Sequence, residues 1–167
     1  MPAVVDAVAP TPVVAAGGIA DGRGLAAALM LGAHGALIGT RFYASAEALG
    51  EERAKQRIVA GQGDQTARTR VFDIVRGYAW PPEYTGRALR NRFMNRWDGR
   101  ESELAAVLEG ERPVYQASTR EGDYDTAMVW AGEDVDLIRS VESAVDLVMR
   151  ISVEAEAQLK IGAKMER

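Results

Sequence analysis

Residues 12–42 read PVVAAGGIADGRGLAAALMLGAHGALIGTRF, and this stretch decides the fold of the chain. Its apolar start, residues 12–16, closes with Gly17 and Gly18, a pattern typical of a buried parallel strand bounded by a turn. Asp21 can then cap a helix, because apolar residues recur behind it at every third or fourth position. The stretch therefore opens with one strand-turn-helix unit.

The same pattern follows a second time. Residues 35–39 predict another buried strand, residues 40–43 predict a turn, and Ser45 opens a charged helix that ends near Ala60. Because the connection between the two strands is short, we expect a compact right-handed crossover and parallel pairing. Residues 1–61 are thus predicted to form two β/α units of a parallel sheet or barrel.

The second part of the chain has a different texture. Residues 62–101 are rich in arginine, aromatic and turn residues, with one predicted strand at 71–75. Amphipathic helices are predicted at 101–108 and 141–159. The apolar stripe of the second helix is predicted to consist of Val141, Val145, Val148, Ile151 and Ala155. We expect all of 62–167 to form a mainly helical cap or appendage with a closing helix.

Composition places the chain among globular proteins. It has 167 residues, of which 47% are hydrophobic and 26% charged, so we expect one domain with its own core. The net charge of -4 and the lack of a basic run argue against a nucleic-acid or membrane partner. Without cysteine, the chain forms no disulfide, thiolate metal site or cysteine nucleophile. No signal peptide or membrane span is apparent, so we expect a cytoplasmic protein.

The two glycine turns predict an anion site. A strand that ends in glycine before a helix presents unpaired backbone N–H groups and the positive end of the helix dipole, which together bind phosphate. Gly17 and Gly18 fit the first turn, and Gly39 fits the second, where the hydroxyl of Thr40 can add a donor. In (β/α)8 barrels, phosphate sites lie most often after strands seven and eight. Glycines that merely end strands are the alternative, but two such turns in successive units favour phosphate.

The same residues carry a family resemblance. Residues 12–42, with GRALRNRF at 86–93 and WAGEDVDLI at 130–138, resemble the carboxy-terminal part of the nitronate monooxygenases, which are FMN-dependent barrel enzymes. The resemblance implies an α/β fold comprising the last two β/α units of a (β/α)8 TIM barrel and a mostly helical cap. It also implies that FMN is bound by Ala16, Gly17 and Gly18 along its phosphate and ribityl chain, and by Gly39 and Thr40 closing the phosphate pocket.

The resemblance further implies the reaction. In this family, FMN takes electrons from an alkyl nitronate and dioxygen reoxidises it, which gives a carbonyl compound and nitrite, while the protein supplies orientation and electrostatics. The family's histidine base and its flavin-ring contacts lie upstream of the glycine strand. We therefore assign no catalytic residue and no metal ligand in this chain. We expect a fragment that keeps the FMN phosphate site and lacks the base.

Two other functions are compatible with the sequence. An IMP dehydrogenase-like barrel would hold a substrate phosphate through similar glycine turns, with its cysteine nucleophile upstream. A non-catalytic remnant or interaction module would use its open strand edge to pair with a second copy or with a missing barrel half. The GTRF and GRALRNRF segments favour the flavin family.

Four other residues have competing interpretations. His34, the only histidine, has the chemistry of a general base, but it precedes a strand and is expected at the face opposite the active site. Asp21 and Arg23 are interpreted as a helix cap and a solvated residue. Trp80, followed by two prolines, predicts a rigid turn, and a role at a substrate entrance is the alternative.

Arginine and aromatic residues cluster at 87–97, a combination that nucleic-acid-binding proteins use for stacking and phosphate contact. Helical spacing instead places Leu89, Phe93 and Trp97 on one buried face. The outward side chains are then Arg87, Arg90, Arg92 and Arg96, which we expect to pair with Asp98, Glu101 and Glu103. The cluster is therefore interpreted as a packed helix rather than a nucleic-acid interface.

Overall fold

A computed structural model describes residues 1–163 of the chain. The first part contains α1 (Pro2–Val8), β1 (Val14–Ala16), α2 (Gly22–Met30), β2 (Gly35–Leu37), α3 (Thr40–Tyr43) and α4 (Glu52–Ala60). The second part contains β3 (Thr66–Thr69), α5 (Val71–Arg76), β4 (Gly86–Leu89), α6 (Arg92–Trp97), α7 (Glu101–Ala106), α8 (Leu108–Glu121) and α9 (Ala144–Ala163). Short 3₁₀ turns occur at Gly63–Gln65 and Glu133–Leu137.

The two predicted β/α units are present. β1 and β2 pair in parallel, with Val14 opposite Gly35 and Ala16 opposite Leu37, and α2 forms the crossover between them. Their outer face is open, since Val14 is 59% exposed and Leu37 is 68% exposed. The parallel pairing confirms the expectation from the sequence. The predicted helix at Ser45 is wrong in its start, because residues 44–51 form turns and α4 begins only at Glu52.

The second part contains a sheet that the sequence interpretation missed. β3 and β4 pair antiparallel, with Thr66 opposite Leu89 and Thr69 opposite Gly86, and the chain around Trp130 bridges to the far side of β4. The predicted strand at 71–75 is wrong: these residues lie in α5, which ends at a left-handed glycine. An apolar run of this length does not by itself separate a strand from a short buried helix.

The cluster with the largest buried rings lies in the second part, and we call it the aromatic core. Its members pack α5 against α6, α7 and α8, and they are Val71, Phe72, Val75, Ala88, Phe93, Met94, Trp97, Leu104 and Tyr115. Another cluster joins residues from both parts, such as Ile58 of α4 with Leu89 of β4 and Val135. The division of the chain near residue 61 stays a prediction.

α9 packs along α2, and glycine permits the close approach. A Cβ on Gly22 would lie 2.2 Å from the Cβ of Glu154, a distance that real Cβ contacts do not show. The predicted stripe of α9 is partly wrong: Val145 and Val148 are 69% and 52% exposed. The buried side chains at the required spacing are Leu147, Ile151 and Ala155. The helix begins three residues later than expected, at Ala144.

The arginine-rich segment at 87–97 is divided between a strand and a helix, but the predicted burial of its apolar side chains is confirmed. Leu89 ends β4, whereas Phe93 and Trp97 belong to α6, and all three side chains are buried. The four arginines form ion pairs: Arg87 with Glu133, Arg90 with Asp98, Arg92 with Asp123 and Arg96 with Glu111. Only Asp98 of the predicted acidic partners pairs with this cluster, since Glu103 pairs with Arg100.

Within residues 1–163, the helices are too short or too polar to cross a membrane. The same part of the chain holds no group of three histidine, aspartate or glutamate residues placed to bind a metal ion.

Candidate functional site

One cavity brings together all five residues predicted to hold the cofactor. It has a volume of about 290 Å³ and is lined by Ala16, Gly17, Gly18, Ile19, Leu37, Gly39, Thr40, Gly132 and Asp134. We call it the glycine pocket. Because β1 and β2 are parallel neighbours, the loops that follow their carboxyl ends meet at one edge of the sheet.

The backbone of the first turn suits a close approach by a ligand. Gly17 and Gly18 have φ values of 94° and 73°, which favour glycine, and a Cβ at either position would meet no atom within 4 Å. A Cβ on Gly39 would likewise point into open space. The N–H groups of these three glycines make no hydrogen bond to any residue between positions 1 and 163. The pocket therefore presents free backbone donors.

The first N–H groups of α2 are not free to bind an anion, and a contribution of the α2 dipole stays a prediction. α2 begins only at Gly22, and its first N–H groups already have carboxylate partners. Asp21 Oδ1 accepts hydrogen bonds from the N–H groups of Arg23 and Gly24, at 3.0 and 3.1 Å. Glu154 Oε2 accepts from the N–H of Gly22 at 3.0 Å. The two carboxylates occupy the positive end of the helix, so the donors for an anion come from the glycine loop instead.

The interpretation of Asp21 as a cap and Arg23 as a solvated residue is confirmed. Asp21 caps α2, and its side chain also bonds the Arg23 guanidinium, which is 66% exposed. Burial tends to raise the pKa of Asp21, but the hydrogen bonds from Arg23 and Gly24 hold it below the ordinary value.

Thr40 links the two sides of the glycine pocket. Its Oγ1 accepts a hydrogen bond from the N–H of Gly132 at 2.9 Å. The role of the Thr40 hydroxyl as a donor to phosphate stays a prediction. Its role in the structure is to fix the loop at Gly132 against β2 and α3.

Asp134 is the unexpected member of the glycine pocket. Its side chain is buried, and Oδ1 has no hydrogen-bond partner among the described residues. Burial raises the pKa of this carboxyl, while its own backbone N–H and the nearby Thr40 side chain partly offset the effect. An ionised Asp134 would repel a phosphate, and its neutral form would not. No local sequence pattern predicts this contact, because Asp134 lies far along the chain from the glycine turns.

Arg41 connects the second glycine turn to neighbouring parts of the chain. Its guanidinium is buried and donates to the carbonyl oxygens of Ala44 and Ser140, at 3.2 and 2.7 Å. A carboxylate oxygen of Glu142 lies 3.6 Å away. Burial lowers the pKa of Arg41, and Glu142 opposes that shift. The arginine of the GTRF segment thus ties α3 to the chain that leads into α9.

His34 lies away from the glycine pocket, as expected. It is exposed in the loop before β2, and its Nδ1 accepts a hydrogen bond from the N–H of Val13 at 3.2 Å. This contact holds the entrance of β1 beside that of β2, at the amino end of the strands. The glycine pocket lies at the opposite, carboxyl end.

Comparison with known sequences supports the family resemblance. Residues 1–154 match the sequence model of the nitronate monooxygenase family. A nitronate monooxygenase of Metarhizium robertsii is 36% identical over 156 residues, and one of Neurospora crassa is 33% identical over 151 residues. The alignments cover 89% of this chain but 42% and 39% of the two relatives. The chain thus spans about two fifths of their length.

Solved structures give the same result. FabK from Thermotoga maritima superposes with a TM-score of 0.81 and 29% identity, over 98% of this chain and 50% of FabK. A nitroalkane oxidase from Streptomyces ansochromogenes gives a TM-score of 0.78 and 29% identity, over 97% of this chain and 44% of the oxidase. The likenesses define the class as α/β oxidoreductases. The chain belongs to the nitronate monooxygenase family, which favours this family over the IMP dehydrogenase-like alternative.

Proposed function

We propose that this chain forms the phosphate-binding part of an FMN-dependent nitronate monooxygenase, which converts alkyl nitronates and O₂ into carbonyl compounds and nitrite. One observation carries the proposal: Ala16, Gly17, Gly18, Gly39 and Thr40, assigned to FMN by family resemblance, line a single pocket. In the complete fold, β1 and β2 would be the last two strands of a (β/α)8 barrel.

The glycine pocket fits the phosphate end of FMN. Its free N–H groups on Gly17, Gly18 and Gly39 are the donors that phosphate oxygens need, and the missing side chains leave room for contact. Burial raises the pKa of Asp134, which shifts this carboxyl toward its neutral form and so reduces its repulsion of an anion. The phosphate would lie between the two turns, held by both β/α units.

Within this proposal, the residues of the chain bind and orient rather than react. Bound FMN would supply the redox chemistry between the nitronate and dioxygen. The glycine loops would fix its phosphate, and Thr40 would keep the Gly132 loop in place as one wall of the pocket. We assign no catalytic base to this pocket.

Titration of the purified 167-residue chain with FMN tests the phosphate assignment. We expect saturable quenching of flavin fluorescence, with inorganic phosphate competing and riboflavin, which lacks the phosphate, binding at least about tenfold more weakly. Equal affinity for FMN and riboflavin would contradict the assignment, because the glycine pocket would then hold no phosphate.

The nitronate assignment needs a separate assay. Nitrite release from an alkyl nitronate is measured for the chain alone and for a mixture with the part of the Metarhizium robertsii relative that the chain does not match. We expect FMN-dependent nitrite release in the mixture, above that of either component alone. FMN binding without any nitrite release in the mixture would leave the phosphate site standing and argue against the reaction.

The open face of the β1–β2 pair supports pairing with further polypeptide. Val14, Met30 and Leu37 are all more than half exposed, and an unclosed parallel sheet leaves backbone groups without partners. We propose that this face pairs with the rest of a barrel or with a second copy of the chain. Sedimentation equilibrium distinguishes the two: a monomer over the micromolar range would exclude self-association.

A further inference from the structure

Another cavity lies beside the antiparallel sheet formed by β3 and β4. It has a volume of about 290 Å³ and is lined by Asp73, Trp80, Tyr84, Thr85, Gly86 and Trp130. We call it the tryptophan cavity. It shares no lining residue with the glycine pocket, and nothing in the proposed function uses it.

Its three aromatic walls are held by different parts of the fold. The ring of Trp130 lies against Gly86 of β4 and meets Phe72 edge-on, with 6.1 Å between the ring centroids. Trp80 and Tyr84 project from the loop between α5 and β4, where the N–H of Tyr84 donates to the carbonyl of Pro81 at 3.0 Å. This bond closes a turn that the two adjacent prolines stiffen. The backbone therefore determines the positions of the three aromatic rings around the cavity.

Trp80 and Tyr84 are 59% and 60% exposed, although each carries a large apolar ring. A lone exposed aromatic residue needs no explanation, but two of them on the rim of one cavity are typical of a binding site. The lining of the cavity thus offers three aromatic rings to a ligand.

The floor of the tryptophan cavity carries a carboxyl group without a partner. Asp73 is only 9% exposed, and its side chain makes no hydrogen bond or ion pair with residues 1–163. Burial raises the pKa of Asp73, and the positive charges of Arg70 and Arg76 oppose that shift. Arg76 itself is engaged elsewhere, since its guanidinium stacks on the Tyr78 ring and bonds the Tyr78 hydroxyl at 3.2 Å.

A buried carboxylate is costly unless a cation or a hydrogen-bond donor compensates it. Aromatic ring faces attract cations through the negative face of the π system, and their attraction grows when water is excluded. We propose that the tryptophan cavity binds an organic cation of the alkylammonium class, with its positive charge over the aromatic faces and beside Asp73. The proposal does not depend on the nitronate reaction or on FMN.

Choline and its uncharged isostere 3,3-dimethylbutan-1-ol provide a matched pair of probes for the full chain. Both have the same branched shape and hydroxyl, and only choline carries the charge. We expect choline to quench tryptophan fluorescence saturably and to bind at least about tenfold more tightly than the alcohol. Equal affinities, or no choline binding at millimolar concentration, would overturn the proposal.

Two pairs of variants locate the site. Asp73→Asn should abolish the preference for choline, whereas Asp64→Asn, which removes the same charge at an exposed position, should leave it unchanged. Tyr84→Ala should weaken choline binding at least about fivefold, whereas Tyr84→Phe, which keeps the ring face, should retain it. Because Tyr84 is exposed, its variants test the site even if Asp73→Asn does not fold. Unchanged choline affinity in Tyr84→Ala or in folded Asp73→Asn would overturn the proposal.

Discussion

The two sheets of this chain differ in what supports them. The parallel pair β1–β2 rests on small side chains, chiefly Ala15, Ala28 and Ala33 with Ile19, and its outer face is open. The antiparallel pair β3–β4 adjoins the aromatic core, in which large rings and aliphatic side chains are fully enclosed. The first sheet carries the glycine pocket, and the second adjoins the largest buried aromatic rings.

The residues proposed to bind a ligand and the residues that contribute most to stability therefore lie in different regions of the chain. Loops that must admit a ligand need glycine, free N–H groups and open space, which contribute little to folding. Apolar burial, mainly in the aromatic core, offsets the conformational entropy that is lost when these loops become ordered. Substitutions in the two regions should therefore affect different measurements.

The largest expected effect is the loss of a ring from the aromatic core. Phe72 is fully buried and contacts Phe93, Tyr115 and Trp130, so Phe72→Ala should lower the free energy of unfolding by about 3 to 5 kcal/mol. Ile19→Ala in the thin core below the glycine pocket should cost about 2 kcal/mol. Urea denaturation of both variants measures the difference. Equal costs would show that the parallel pair is as well supported as the aromatic core.

Arg41 should have the next largest effect, because it connects the glycine turn to the rest of the fold. Arg41→Ala leaves the carbonyls of Ala44 and Ser140 without their donor, and we expect a loss of about 3 kcal/mol in unfolding free energy. Arg53→Ala, an exposed arginine on α4, should change it by less than about 0.5 kcal/mol. A similar effect in both variants would argue against the anchoring role.

A smaller effect is expected from the cap of α2. Asp21→Ala should cost about 1 kcal/mol at neutral pH and leave FMN affinity unchanged, since the first N–H groups of α2 serve the cap and not the ligand. The hydrogen bonds lower the pKa of Asp21 in the folded chain, so this stabilisation is lost as the pH falls below about 3.8. Denaturation at pH 7 and pH 3, with FMN titration at pH 7, measures both. A marked rise in FMN affinity would restore a role for the helix dipole.

The smallest effect concerns the charge of Asp134. Its raised pKa means that the carboxyl is neutral at low pH and gains its charge as the pH rises, which should weaken phosphate binding progressively. Asp134→Asn should bind FMN about fivefold more tightly than the native chain at the upper end of the pH range. FMN titrations between pH 5 and pH 9 compare the two, and the ratio cancels the ionisation of the phosphate itself. Equal FMN affinities of the two chains at every pH would contradict this effect.

The sequence predicted the parallel units well because their signals are local. Apolar runs, Gly17, Gly18 and the Asp21 cap lie within one short stretch, and their spacing is sufficient to place the first glycine turn beside the second. The family resemblance added the ligand, which the spacing alone does not identify. The five predicted residues meet in the glycine pocket for these reasons.

The features that escaped prediction depend on distant contacts. β3 reads TART and has no continuous apolar face, so only its pairing with β4 makes it a strand. Gly132 joins the glycine pocket through a hydrogen bond to Thr40, 92 positions earlier, and Asp134 follows two residues later. The predicted stripe of α9 failed for a related reason, because contact with α2 selects Leu147, Ile151 and Ala155 instead of the valines.

The most direct test of the proposed phosphate site compares two glycines with similar φ angles. Gly18 has a φ of 73° and Gly99 a φ of 78°, and a Cβ on either would meet no atom within 4 Å. Alanine at each position should therefore cost the same stability, about 1 kcal/mol. Only the Cβ on Gly18 would enter the space where the phosphate is proposed to lie.

The measurement is the FMN dissociation constant of Gly18→Ala and Gly99→Ala, with unfolding free energies determined in parallel. We expect equal losses of stability in the two variants. FMN affinity should be at least about tenfold weaker in Gly18→Ala and should equal that of the native chain in Gly99→Ala. Equal FMN affinity in the two variants would contradict the proposal that the glycine pocket holds the phosphate.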